Sequence, residues 1–188
     1  MTHLATQKLT VGYGSNTILR DINLVFETGS VTVIAGGNGA GKSTFLRTLA
    51  GLLSPCSGQV LPAEVASFKT RRSLLAYLPQ SLPAALAISV EDAVGFGAIA
   101  PGAWSLSDDA EGRANAAIKQ FDLLDLRRDP INQISGGEQR RVALAATVAQ
   151  GAPWLLLDEP TAGLDLPHAG AAFAALRRWV AAEAGQRA

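Results

Sequence analysis

Val31-Thr32-Val33-Ile34-Ala35-Gly36-Gly37-Asn38-Gly39-Ala40-Gly41-Lys42-Ser43 decides how the rest of this chain is read. Val31–Ala35 is a continuous apolar, β-branched run, the habit of a strand covered on both faces in a parallel sheet. A glycine-rich turn follows, and Lys42–Leu53 then sets Phe45, Leu46, Leu49, Leu52 and Leu53 on one helical face. Strand and helix thus frame the pattern G-x-x-x-x-G-K-[ST] between Gly36 and Ser43. Phosphates need several backbone N–H groups turned toward one point. Glycines permit the positive φ angles and close approach that do this, and the helix start adds the positive end of its dipole. Gly36, Gly37, Asn38, Gly39, Ala40 and Gly41 therefore read as a cradle for a nucleotide phosphate chain. Lys42 would reach the β- and γ-phosphates, the Ser43 hydroxyl would be a ligand for Mg²⁺, and Thr44 would serve the α-phosphate side.

Before the cradle, Gln7–Val11 and Ile22–Phe26 read as strands, with turns at Tyr13-Gly14-Ser15-Asn16 and Glu27-Thr28-Gly29-Ser30. After it, Gly58–Leu61 and Ser73–Leu78 read as short strands, and Ser89–Gly97 and Asp108–Leu124 as helices. Gly136–Gln150 is expected as a helix beginning in glycines, Trp154–Leu157 as a buried strand and Pro167–Ala184 as the last helix. Strands alternating with helices predict an α/β fold with a largely parallel sheet, and the many alanines and glycines predict tight helix packing.

Two further segments carry chemistry. Trp154-Leu155-Leu156-Leu157-Asp158-Glu159 is an apolar strand ending in two carboxylates, at the carboxyl end where open α/β sheets bind ligands. Asp158 would hold Mg²⁺ through water, and Glu159 would polarise the water that attacks the γ-phosphate. Ile134-Ser135-Gly136-Gly137-Glu138-Gln139-Arg140-Arg141 opens a helix on a Ser N-cap, so Ser135 and the Gly136 and Gly137 amides make a second anion-binding helix start.

That last stretch closely resembles the signature of the ABC ATPase family, with Ile134 for the usual leucine and Glu138 for the more frequent glutamine. The resemblance covers essentially the whole chain. It implies a P-loop NTPase fold with a mainly parallel core sheet, an N-terminal antiparallel β portion and a helical subdomain inserted at about 82–140 of a single domain, 1–188. It implies that Ser135, Gly136, Gly137 and Glu138 close over the nucleotide of a second subunit, giving a head-to-tail dimer around two ATP. Tyr13 looks like the adenine-stacking aromatic, a surface tyrosine in a turn being the other reading. Gln80, in Tyr77-Leu78-Pro79-Gln80, looks like the glutamine that contacts Mg²⁺ and the attacking water. Gly163-Leu164-Asp165 resembles the loop that crosses the dimer interface. Gly37 stands where the family often has proline, which frees the loop slightly and removes no ligand. The family's switch histidine follows a further strand, and counted from Glu159 that position lies past Ala188. The expectation is a chain ending before this region, with the flanking strands facing unpaired backbone groups at about 1–3 kcal/mol each. His168 is expected instead to be exposed or to cap the final helix.

Composition narrows the role. Sixteen basic and sixteen acidic residues cancel, so there is no electrostatic footprint for a nucleic-acid backbone. One cysteine, Cys56, and two histidines are too few for a disulfide framework or a zinc cluster. Hydrophobic residues reach 48%. Their runs nevertheless fall far short of the ~20 residues that cross a bilayer, and Met1–Lys8 shows no signal peptide. A motor without its own span implies a separate membrane permease subunit, peripheral attachment at the cytoplasmic face, and a substrate-binding protein. Ser81–Gly102 reads either as the permease contact or as subdomain core. Glu91-Asp92-Ala93-Val94-Gly95-Phe96-Gly97 with Leu164-Asp165-Leu166-Pro167-His168 resembles importers of chelated metals: iron-siderophores, haem, cobalamin and the zinc/manganese group. The leading reading is an ATP-hydrolysing importer subunit. A soluble non-transport ABC ATPase and a catalytically impaired nucleotide-binding fragment stay open beside it.

Overall fold

The alternation before and after Tyr13–Asn16 asks for two strands joined by a tight turn, and β1 (His3–Tyr13) pairs with β2 (Asn16–Glu27) as an antiparallel hairpin from His3↔Glu27 to Tyr13↔Asn16. These elements come from a computed structural model that describes residues 3–61, 74–82, 87–99 and 105–185. Among those residues, the segments up to Leu75 and from Val180 onward form one compact unit, and Ala76–Trp179 forms another.

In the first unit, β3 (Ser57–Leu61) joins the other edge of β1, giving an antiparallel sheet in the order β2-β1-β3. Leu4, Leu9, Val11, Phe26 and Val60 from this sheet are buried with Phe45, Leu46 and Leu49 of α1 (Lys42–Leu49). The rings of Phe26 and Phe45 lie 6.5 Å apart, tilted by 43°, the distance range in which aromatic pairs attract.

Two expectations fail in this unit. The helix expected over Lys42–Leu53 stops at Leu49, because Gly51 takes φ 76 and ends it. The Leu52 amide then donates to Arg47 O at 2.9 Å and the Gly51 amide to Thr48 O at 3.1 Å, a Schellman close. Leu52, expected on the apolar face, is 58% exposed as a result. The second failure is Val31–Ala35, expected as a strand buried on both faces. It forms no ladder among the described residues, and Val33 is 82% exposed. A strand exists through its neighbours, and without hydrogen-bonding partners β-branched residues alone do not make one.

In the second unit, β4 (Leu75–Leu78) and β5 (Trp154–Leu157) form a two-stranded sheet. The Asp158 amide donates to Leu78 O at 2.9 Å. The carboxyl ends of the two strands therefore lie side by side, and the strands run parallel. Ser73, the expected start of β4, lies outside the described residues. β5 is less buried than expected: Leu156 is in the core, and Trp154, Leu155 and Leu157 are half-buried, with β4 the one neighbouring strand among the described residues.

Among the described residues the crossover between them carries the α-helices α2 (Val90–Ala98), α3 (Asp108–Gln120) and α4 (Gly136–Ala149). Ser89 caps α2 by accepting from the Asp92 amide, and Ser107 caps α3 by accepting from the Ala110 amide. Acidic residues fill both first turns, where they meet the positive dipole ends. Small residues let the helices close on one another: Ala98, Ala110, Ala114, Ala117, Ala145 and Ala149 share the core with Val90, Val94, Ile118, Phe121 and Leu144. The second helix of the crossover was expected to reach Leu124 and ends at Gln120. Asp122 turns left-handed at φ 55, and the Leu123 amide closes onto Ile118 O at 3.0 Å. β5 leads to α5 (Leu166–Gly185), which buries Ala172, Ala175 and Leu176 in the same core. No helix among the described residues is long and apolar enough to cross a membrane.

Candidate functional site

In the first unit the cradle is built from backbone. Gly36–Ala40 is exposed, and the Ala40 amide closes a turn onto Gly37 O at 3.2 Å. Gly41 is the N-cap of α1 at φ 94, in the left-handed region. A Cβ there would lie 2.6 Å from Ile18 Cγ2 and 3.1 Å from Leu19 Cγ of β2. Both the angle and the space therefore demand glycine. A Cβ at Gly37 would meet nothing within 4 Å, so the departure from the family's frequent proline strains no contact. No side chain caps α1 and no acidic residue occupies its first turn, which leaves the positive helix end uncompensated. Lys42 folds back so that Nζ donates to Gly36 O at 2.8 Å and Gly37 O at 2.9 Å. Ser43 is half-buried and Thr44 is buried. Tyr13 ends β1 at the hairpin tip and is 47% exposed, with its ring surface open to stacking.

In the second unit the structure brings Gln80, Asp158 and Glu159 together at the carboxyl ends of β4 and β5. Asp158 is 3% exposed, and its Oδ2 lies 3.5 Å from the Tyr77 hydroxyl. Glu159 is exposed, holds φ 50, unusual for a side-chain-bearing residue, and accepts from Gln80 Nε2 at 2.9 Å through Oε2. Under both segments lies Arg140 of α4, itself 3% exposed. Its Nη1 donates to Pro79 O at 2.8 Å and Gln80 O at 3.2 Å, and its Nε to Pro160 O at 3.1 Å. Its Nη2 donates to Asp158 O at 2.8 Å and also to Glu159 O. Burial pulls the Arg140 pKa down, while the charges of Asp158 and Glu159 oppose that shift.

The start of α4 is a capping box. The Ser135 hydroxyl accepts from the Glu138 amide at 3.3 Å, and the Glu138 carboxylate accepts from the Ser135 amide at 2.7 Å. These bonds, with the Arg141 and His168 charges, hold the Glu138 carboxyl below its ordinary value despite some desolvation. Glu138 thus keeps the helix-start chemistry expected of it. A Cβ on Gly136 would meet nothing within 4 Å, and Gly137 stands 3.5 Å from Leu164 Cδ2. Nearby, the Asp165 carboxylate accepts from the His168 amide at 2.9 Å and lies 2.6 Å from His168 Nδ1, bonds that lower its pKa. His168 sits in the first turn of α5, half exposed.

The family model described as ABC transporter matches residues 19–162, most of the chain. This chain belongs to the ABC transporter family. The achromobactin transport ATP-binding protein of Dickeya dadantii is 37% identical to this ABC cassette over 174 residues, which take in 89% of this chain and 65% of that protein. The iron(3+)-hydroxamate import ATP-binding protein of Bacillus subtilis is 34% identical over 174 residues, with the same shares of 89% and 65%. The chain therefore spans about two-thirds, and slightly less, of the length of these curated relatives. Among solved structures, cbiO1 of Clostridium perfringens, part of the ABC transporter complex cbiONQ, superposes with a TM-score of 0.77 at 30% identity. That match covers 96% of this chain and 74% of the other.

The sequence reading of this ABC cassette gave Arg140 no role. A signal for it existed: Arg140, Leu144 and Val148 are spaced by four on one face of α4, so an arginine stands in an apolar stripe. Tyr77, beside Asp158, was likewise only part of the quoted motif. Of Ser81–Gly102, residues 83–86 and 100–102 lie outside the described residues. In the remainder Val90, Val94 and Ala98 are core, and Phe96 is 63% exposed.

Proposed function

We propose that this chain is the ATP-binding and ATP-hydrolysing part of an importer whose membrane span is a separate permease subunit. The observation that carries the reading is the Gln80–Glu159 contact. It joins an amide and a carboxylate at adjoining strand ends, in a chain that also carries the glycine cradle around Lys42. Gly36–Gly41, Lys42, Ser43 and Thr44 bind the phosphates, and Tyr13 stacks on the adenine. Glu159 draws a proton from the attacking water. The Gln80 amide, bonded to one carboxylate oxygen, orients the other toward the water. Ser135, Gly136, Gly137 and Glu138 face the nucleotide of a second subunit, so the working unit is a dimer of cassettes around two ATP. The segment 82–140 serves as a helical subdomain of one ABC ATPase domain, 1–188.

The donor set also suits Mg²⁺. Among the described residues no cluster of three His, Cys, Asp or Glu could cage a metal alone, and this cation takes one or two carboxylates together with substrate phosphates. Ser43, Gln80 and Asp158 would hold it, and when bound it would neutralise phosphate charge.

A metal or metal chelate is the cargo we favour, on the likeness to a protein named for iron(3+)-hydroxamate import. A substrate-binding protein would deliver it, and the cassette would sit at the cytoplasmic face of the membrane. The test is phosphate release from ATP by the purified protein with and without Mg²⁺. Mg²⁺-dependent turnover supports the reading. ATP bound without turnover, in the full-length protein with its permease, would reduce it to a nucleotide-binding role.

A further inference from the structure

Resting on the ATPase reading above, we infer that Arg140 is a positioning residue for hydrolysis. It sets the Gln80 and Glu159 segments in register from beneath.

A guanidinium has five N–H donors in a rigid fork and no acceptor. Here all five are used, and each ends on a main-chain carbonyl: Pro79 and Gln80 on one segment, Asp158, Glu159 and Pro160 on the other. A buried arginine with no carboxylate within ion-pair distance among the described residues is unusual, since burial of a charge is costly unless it is fully bonded. Five bonds divided between the two segments that carry the candidate water-handling groups fix their relative position.

The second observation is the backbone of Glu159. At φ 50 it occupies the left-handed region, which persists in a side-chain-bearing residue only where the surroundings impose it. Arg140 holds the carbonyls of Asp158, Glu159 and Pro160, the residue itself and both its neighbours. With that backbone fixed, the Glu159 carboxylate meets the Gln80 amide at 2.9 Å. Arg140 touches neither nucleotide nor water in this scheme and acts through the two residues it places.

The test compares Arg140→Lys, Arg140→Gln and Arg140→Met in the full-length protein. Each is checked for folding by its thermal melt and near-UV dichroism, then assayed for MgATP hydrolysis. Positioning predicts that kcat falls roughly 100-fold for Gln and Met, as small misplacements of catalytic groups do. Lys, which keeps the charge and three donors, should lose roughly tenfold. The KM for ATP should stay within about twofold throughout. A folded Arg140→Met variant with unchanged kcat overturns the inference, as does a parallel change in kcat and KM. A readout free of turnover separates this inference from the ATPase reading: the side-chain amide resonances of Gln80 by NMR. If they shift and exchange faster in Arg140→Lys, the register argument holds even for a protein found not to hydrolyse ATP. If they are unmoved in all three variants, it fails whatever the activity.

Discussion

The glycine cradle of the first unit and the carboxylate cluster of the second are prepared in different ways. The cradle in the first unit is a product of what is missing: side chains are absent from Gly36, Gly37, Gly39 and Gly41, no residue caps α1, and no carboxylate sits in its first turn. The carboxylate site in the second unit is a product of what is present, a buried cation bonded to five carbonyls and a residue held in a left-handed conformation. A site made by omission is written in consecutive residues and survives in a pattern. A site made by tertiary contact is spread over three segments and has no local spelling.

The comparison can be broken most severely at Glu159. Glu159→Gln removes the proton acceptor and leaves the amide contact to Gln80 available. Hydrolysis should fall about 10²–10⁴-fold while ATP binding is kept, read by phosphate release and equilibrium dialysis. Lys42→Ala acts on the cradle and should do the reverse in kind. It removes a charge-assisted contact, so ATP should bind roughly 10–100-fold more weakly at unchanged thermal stability.

Gly41→Ala tests whether the cradle is built by omission. The methyl group would meet Ile18 at 2.6 Å on a backbone at φ 94. A loss of about 1–3 kcal/mol in chemical denaturation is expected, together with weakened binding. Ser135→Ala should cost about 1 kcal/mol by removing the cap of α4, which lowers Tm by roughly 2–4 °C for a chain of this size.

The smallest effect is a pH dependence. Glu138 has its carboxyl pKa lowered in the folded protein by the Ser135 bonds. Its contribution is therefore complete above the unfolded carboxylate value of about 4 and is lost as pH falls through the lower folded value. Melts of the parent and Glu138→Gln should converge at acid pH and separate slightly toward neutrality.

Most of the architecture was legible because periodicity and caps are local. Ser135, read as an N-cap, is one; Ser89, where a helix was expected to begin, caps α2, and α3 begins at Asp108 as expected. The helix ends were less legible. Gly51 and Asp122 both stop a helix by turning left-handed, and apolar residues beyond them, Leu52 and Leu124, extend the pattern without extending the helix. Val31–Ala35 misled for a different reason: its composition describes a strand, and a strand depends on what lies beside it. At the site, the cradle, Asp158 and Glu159 stood out as motifs. Arg140 did not, since its five partners are carbonyls, which every residue has.

The exposed run at Val31–Ala35 also bears on how the protein behaves in a tube. An apolar, β-branched segment outside any ladder is a template for another extended chain, and Val31 and Val33 present it at 65% and 82% exposure. With sixteen positive and sixteen negative side chains, molecules near neutral pH have no net repulsion to keep them apart. Association near neutral pH is expected to begin at this short apolar segment. Buffers well away from neutrality, which restore a common sign of charge, are the conditions in which the chain should stay dispersed.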